Sequence, residues 1–429
     1  MPTSRVFQDM LNEYLAVDLL KAELKKQDYY FSKVDMDEGA KGGNVIVPFE
    51  GQYASSIEFG ALASDTDISE YKYVRGTLAP TVEAWGTLVF NHRDLMQHDG
   101  KVNETSFLKI LPGQITDFIT QMKCALSTNA LNGSSFATVT VDGTAGGVIE
   151  VDRVERFTLS QKVILDDNNS VAGTFYVIAV DVNAGTLGLG AVTLSATRGG
   201  AAADVSAYTV AQVAKVYHPG AQTSSYTSIK SQLLSLANGG PATLFGQTKT
   251  AYPHLQATQI DGSAVSATNV LQKIFDGAAR MQRLGRNMAD LEVIMSLKHM
   301  GSILTLLEVG GGTAVTSPGK GAFNVVQGSR KVSAYGWTEI MVGSPAGHML
   351  KLVGVLDMDN DWIWFNGGWD TVTFYSNGGL KRRKAPDGKE YFEKRATSGY
   401  QYILDHVMEG DQAVKAPYKH GIIHSIPNY

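Results

Sequence analysis

The sequence predicts an α+β protein with an all-β barrel or sandwich inserted into it. Three observations lead to that expectation. First, Leu111, Ile115, Phe118, Ile119, Met122 and Leu126 form an apolar stripe at the spacing of one long helix. Second, residues 135–217 carry short β-branched runs at intervals of about 8–12 residues, separated by turn chemistry, as in small barrels and sandwiches. Third, strand patterns dominate from Lys331 onward. Helical patterning stops before residue 135 and resumes after 217, so the β module reads as an insertion.

The elements follow in order. Residues 4–27 predict an amphipathic helix, with Phe7, Met10, Leu11, Tyr14, Leu15 and Leu19 on one face. Lys21, Lys25 and Lys26 load its C-terminal end, where the helix dipole favours cations. It either packs on its own domain or reaches a neighbour. Residues 44–92 contain three strand-like runs, "NVIVPFEG", "EYKYVRGTL" and "PTVEAWGTLVF". Between the first two lies "QYASSIEFGALASDTDIS", which reads as the loose tip of a long hairpin. A lone two-stranded hairpin is marginal in water. Ile46, Phe49, Tyr53, Ile57 and Phe59 therefore need a surface, and another chain can supply it. With Lys72 and Arg75 on the returning arm they are candidate subunit-interface residues. The segment "LPGQITDFITQMKCALSTNALNG" is the long helix, with Pro112 expected in its first turn and Gly133 just past its end. Some twenty residues would span about 30 Å.

In the inserted module the expected strands are "ATVTV", "GVIEV", "RFTLSQKVIL", "TFYVIAVDV", "TLGLGAVTLS" and "QVAKVYH". "DDNNS" and "NAG" supply turns, since their residues tolerate positive φ. Past Gly220, "YTSIKSQLLSLANGG" predicts a short helix with a glycine stop, and 241–266 a loop. "SATNVLQKIFDGAARMQRLGR" predicts a helix capped by Ser266 or Thr268, with Val270, Leu271, Ile274, Phe275, Ala278 and Met281 inward. "LEVIMS" is a buried strand, "LKHMGSILTLLE" a helix and "VGGGTAVTSPGKG" a flexible loop.

Composition narrows the function. Of the 429 residues 44% are apolar, enough for real cores, while only 18% are charged, which fits a protein with much of its surface buried against partners and equally any Gly- and Ser-rich β protein. The 37 basic and 42 acidic residues leave a net charge of −5, no footprint for wrapping nucleic acid. The single cysteine, Cys124, cannot form an internal disulfide, which suits synthesis in a reducing compartment. There is no signal-like start and no apolar run of membrane-spanning length, so a soluble protein made in the cytoplasm is expected.

Catalytic and ligand motifs are missing. Gly319-Lys320 lacks the earlier glycine and the following Ser or Thr of a phosphate loop, having Ala314 and Gly321 there. Asp357, Asp359 and Asp361 alternate as in a calcium loop, but Trp362 and Gly368 stand where Gly and Glu are needed. An acidic connection between strands fits them better, and a solvated turn fits "DDNN" at 166–169. The nine histidines show no metal-ligand spacing, and there is no nucleophile elbow. No enzyme, cofactor or metal is expected. The densest charge run, "LKRRKAPDGKEYFEKR", turns at Pro386–Gly388 and places Lys381, Arg382, Arg383 and Lys384 on one hairpin arm. It is a solvated hairpin, a salt-bridging face for a neighbouring subunit or, less fittingly given its three acids, a nucleic-acid contact.

The order of parts resembles the major capsid proteins of tailed double-stranded-DNA bacteriophages, a fold shared with encapsulins. The likeness is carried by "GNVIVPFEG", "WGTLVFNHRDL", the long helix, "LEVIMSLKHMGSIL" and the close "YFEKRATSGYQYILDHVMEGDQAVKAPYKHGIIHSI". It implies an N-terminal arm (1–43), an extended hairpin loop (44–92), a spine helix with part of a peripheral domain (93–134), an inserted β domain (135–220), an axial α/β domain (221–330) and closing axial and peripheral strands (331–429). It implies a structural protein that self-assembles as hexamers and pentamers into an icosahedral head, located in the virion. The insertion would stiffen the subunit, bridge subunits or serve as a decoration site. Implied partners are further copies, a portal protein, decoration proteins and packaged DNA held by weak non-specific contact, with no membrane. About forty residues precede the hairpin, too few for a built-in scaffold, so a separate scaffolding protein is expected. An encapsulin-like shell and a β-rich surface adhesin are the alternatives.

Overall fold

The computed structural model describes residues 28–40, 43–49, 74–91, 104–167, 172–184, 190–212, 214–283, 291–314, 331–332, 337–343, 349–384, 386, 392–396 and 399–427. The helix expected at 4–27 lies outside them, as do Tyr53, Ile57, Phe59 and Lys72. The architecture is α+β: among the described residues there are two large sheets, two two-stranded sheets, a closed barrel and a few helices.

The seven-stranded sheet has the order β13-β22-β18-β14-β17-β16-β15. Its strands are β13 (Thr258–Asp261), β14 (Glu292–Ser296), β15 (Lys331–Val332), β16 (Trp337–Gly343), β17 (Met349–Val355), β18 (Ile363–Asn366) and β22 (Gly421–His424). Both faces are covered, so the central strands read as unbroken apolar runs. Alternate residues go to opposite sides. Val293 and Met295 join the core beneath the helices Val270–Arg283 and Leu297–Ala314, while Ile294 joins the main core with Trp362, Trp364 and Ile422.

The five-stranded sheet is built on the 16-residue strand β21 (Gly399–Val414). One edge of β21 pairs with β19 (Val372–Arg382) and β20 (Phe392–Ala396), the other with β4 (Val82–Asn91), all antiparallel. β1 (Asp35–Asp37) adds in parallel to β19. The inner face of β4 lies on the long helix. There Gly86 permits close approach, since a Cβ would sit 2.8 Å from the Phe118 ring and 3.2 Å from Met122 Sδ.

The long helix runs Glu104–Asn132, 29 residues and so about 44 Å. Pro112 is therefore not a first-turn residue: the helix starts eight positions earlier. Proline inside a helix removes one backbone hydrogen bond and bends the rod, but it does not prevent an upstream turn. Gly133 ends it at φ 112°, a conformation glycine adopts freely, and its N–H donates to Asn129 O at 3.1 Å.

Between this helix and the short helix Ile229–Leu233, six strands close into a barrel of order β10-β5-β6-β9-β8-β7. They are β5 (Ser135–Val141), β6 (Val148–Val151), β7 (Lys162–Asp166), β8 (Ala172–Asp181), β9 (Ala191–Ser195) and β10 (Lys215–Tyr217). Alternate residues Ile149 and Val151, Val163 and Leu165, Val192 and Leu194 fill the interior. β10 bridges β5 and β7, so the module is a barrel and not a sandwich.

Three further expectations need correction. Residues 241–266 are not a plain loop: they hold the small hairpin β11 (Thr243–Leu244) and β12 (Gln247–Thr248), then β13. The helix after β14 continues through Gly310–Gly312 to Ala314, because its backbone hydrogen bonds do not depend on side chains. "RFTLSQKVIL" is strand only from Lys162; Val154–Arg156 before it forms a 3-10 turn.

Candidate subunit interface and the junction behind it

The hairpin stem pairs β2 (Val45–Phe49) with β3 (Val74–Leu78). Val47, Phe49, Val74 and Leu78 point inward onto Leu244, Leu255, Tyr375 and Ala413, and Phe49 stacks on Phe245 at 6.0 Å. Phe49 is fully buried within its own chain, so it is not available to a neighbour. Ile46, on the opposite face, is 62% exposed. Arg75 also points outward, and its carbonyl accepts from Gln247 Nε2 at 2.7 Å.

The five-stranded sheet has an outer face without cover among the described residues. Glu83, Trp85, Thr87 and Val89 project from β4, opposite Glu409, Val407, Asp405 and Ile403 of β21. Phe392 of β20 lies opposite Ile403, and Lys381 of β19 opposite Val407. Trp85 is 49% and Val89 50% exposed. The Arg383 guanidinium lies 5.7 Å from the Trp85 ring centre and 5.2 Å from that of Phe392, within cation–π range. The basic run is thus divided. Arg383 belongs to this face, Lys384 is exposed, and Lys381 and Arg382 are half-buried, with Arg382 Nε donating to the buried His406 Nε2 at 3.5 Å.

Behind the sheet, the connection from β17 to β18 (residues 356–362) joins four parts of the molecule. Arg153 donates to the carbonyls of Leu356 and Met358 and to Asn360 Oδ1. Arg156 donates to Phe136 O at 2.7 Å, Asp357 O at 2.7 Å and Asp359 Oδ1 at 2.8 Å. These two arginines tie the barrel to the seven-stranded sheet. From the end of the long helix, Asn132 Nδ2 donates to Asp357 O, while its Oδ1 accepts from Asp359 N and Trp362 Nε1. Lys230 pairs with Asp361. Asp359 and Asp361 each have a basic partner and do not converge with Asp357 on one point. Among the described residues no group of three His, Cys, Asp or Glu side chains is placed to hold a metal ion.

Burial alone would lower the Arg156 guanidinium, but Asp359 and its neighbours hold it above its ordinary range. Sequence reasoning passed over both arginines. The available signal was "DRVER", a charged run between Val151 and Phe157 with two arginines three apart, the spacing that aligns side chains on a 3-10 turn.

A cavity of about 330 Å³ lies between β4, the long helix and the barrel, lined in part by Trp85, Phe118, Cys124 and His218. Burial and then Asp357 push the Cys124 thiol up to about 12, and burial and then Arg156 lower His218 to about 4. At neutral pH both are uncharged, so they form no thiolate–imidazolium pair. No helix among the described residues is long and apolar enough to cross a membrane.

No protein-family model matches the sequence, and no curated protein matches it. Several solved capsid structures are similar in chain path. The chain is 10% identical to one of the cyanophage A-1(L) capsid, covering 92% of this chain and 91% of that one at a TM-score of 0.42. For Mycobacterium phage Che8 the identity is 10%, the coverage 94% and 93%, and the TM-score 0.38. For the satellite phage P4 procapsid, which includes the size determination (Sid) protein, the values are 10%, 98% and 97%, and 0.38.

Proposed function

We propose that this chain is the major capsid protein of a tailed double-stranded-DNA bacteriophage, a structural protein whose copies close into an icosahedral head. The observation that carries the reading is the outer face of the five-stranded sheet. Trp85 and Val89 stand half-exposed in line with Ile403, Val407 and Phe392, while four separate cores in the same chain are fully buried. A protein that buries its apolar residues this thoroughly elsewhere leaves such a face open for a partner. The hairpin stem, rooted through Phe49 and exposing Ile46, supports contact between copies in the same way.

The role is structural and sited in the virion. Hexamers and pentamers are its working forms, with a portal protein and decoration proteins as further partners. A separate scaffolding protein would set the curvature that lets one subunit occupy five-fold and six-fold positions. With a net charge of −5 the wall would hold packaged DNA only by weak contact that fades near physiological salt. Electron microscopy of the purified chain, with and without co-expressed phage proteins, tests the reading. Closed shells are expected, and a chain that stays monomeric under all conditions would overturn it. Shells filled with a protein cargo would point instead to an encapsulin-like compartment.

A further inference from the structure

We propose that the cavity between β4, the long helix and the barrel is a binding site for a small uncharged aromatic molecule of one or two rings that carries a hydrogen-bond acceptor such as a carbonyl. This inference does not depend on the reading above. The cavity measures about 330 Å³, at the lower end of the roughly 300–1,000 Å³ of small-molecule pockets. It reaches solvent at β4, where its wall includes the half-exposed Trp85.

The wall is aromatic on three sides. Trp85 comes from β4, Phe118 from the long helix and Phe136 from the barrel. His218 adds a fourth ring, edge-on to Phe136 at 4.4 Å between centroids, and Met122 adds a polarizable thioether. Rings so placed contact a flat ligand by face or edge, and a thioether packs well against an aromatic rim.

At the barrel end the wall carries hydrogen-bonding capacity that the described residues leave unused. Arg156 is 4% exposed, and its two terminal nitrogens are spent on Phe136 O, Asp359 Oδ1 and Asp357 O. Its Nε is buried without a partner, and so is His218 Nε2. Buried polar nitrogens are nearly always paired, so these two call for a group from elsewhere. An arginine Nε–H can only donate, which makes that group an acceptor. The nearby charges select against an ion. Arg156 is matched by Asp359 and Glu155 by Arg153, while Cys124 and His218 are uncharged at neutral pH. A charged ligand would lose its hydration and find no free counter-charge. A molecule seated here touches the sheet, the long helix and the barrel together, so occupancy would fasten the barrel to the body and stabilise the fold by mass action.

Coumarin, two fused rings with a lactone carbonyl, is the probe. Equilibrium dialysis against the full chain should show one coumarin bound per chain. Cys124 is the only cysteine and lines the cavity, so its alkylation by N-ethylmaleimide, read by mass spectrometry, reports occupancy. At ten times the half-protecting concentration, coumarin should slow that alkylation about tenfold. Coumarin-3-carboxylate, which adds a charge, should need at least about ten times more for the same protection. Ala125→Leu puts a larger side chain into the cavity and should weaken binding in dialysis at least about tenfold. A cavity that holds only water would show no binding up to the solubility limit of coumarin, and that result refutes the site. Binding that leaves Cys124 alkylation unchanged, or that Ala125→Leu does not weaken, refutes it too. Equal protection by the carboxylate refutes the selection for an uncharged ligand. The wild-type alkylation assay decides the matter even if Ala125→Leu does not fold.

Discussion

Replacing Arg156 with alanine removes three hydrogen bonds at once, to Phe136 O, Asp357 O and Asp359 Oδ1. The consequences differ by partner. Asp357 O keeps the Asn132 amide as a donor, so its loss is small. Phe136 O loses a charged donor. Asp359, whose side chain is 18% exposed against 0% for Arg156, loses its counter-charge. Removing one partner of a buried ion pair typically costs 3–5 kcal/mol. Water can reach Asp359 through its exposed edge, which places the expected loss at the low end, about 3 kcal/mol, or more than a hundredfold in the folding equilibrium. The barrel contains no tryptophan; Trp85, Trp337, Trp362, Trp364 and Trp369 all lie elsewhere. Urea unfolding read by tryptophan fluorescence therefore reports the body, and hydrogen exchange in β5–β9 reports the barrel. In Arg156→Ala the barrel should lose protection at lower urea than the body. Arg156→Lys keeps the charge without the planar fork and should fall between the two. An alanine variant within about 0.5 kcal/mol of wild type, with both regions unfolding together, would refute the junction as the barrel's main tether.

Gly86→Ala should cost about 1–3 kcal/mol in subunit stability by chemical denaturation, because its methyl would press on Phe118 and Met122. His406 is held down at about 4 by burial and then by Arg382, so it is neutral in the fold and its stabilisation is lost as pH falls from 6.5 towards 4. His406→Gln should accordingly flatten part of the acid limb of a stability–pH curve, leaving the shares of His218 and His299, which are lowered in the same way. Trp85→Ser combined with Val89→Ser should prevent shells in electron micrographs while changing subunit stability by about 1 kcal/mol or less; normal shells would show that this face is not an interface.

Local patterns were legible where burial follows a period. Ile119 and Leu126 are buried on the long helix as their spacing requires, and the barrel strands alternate as their β-branched runs suggest. β13 was missed because "TQID" has a single fully buried residue, Ile260, and no visible alternation. Phe49 shows a different limit. Alternation identified it as facing a surface, but not whose surface. Its neighbours Leu244, Leu255, Tyr375 and Ala413 come from distant segments of the same chain. The junction was illegible for a similar reason: Arg153 and Arg156 meet partners some two hundred positions away, and no local pattern encodes a contact at that range.

The pairing of β4 with β21 has a consequence in time. Val82 lies beside Gly410 and Asn91 beside Gln401, so the two strands are more than three hundred residues apart in sequence. On the ribosome, β4 is made early, and the strand it pairs with among the described residues arrives only when residues near 410 emerge. The long helix and the barrel, whose contacts are mostly local, can form meanwhile, since local contacts form before distant ones. The face bearing Trp85 and Val89 comes into existence only when that last pairing closes. A nascent chain therefore cannot display this surface before residues 401–410 have been made, and copies translated side by side on one message are kept from joining through it until then.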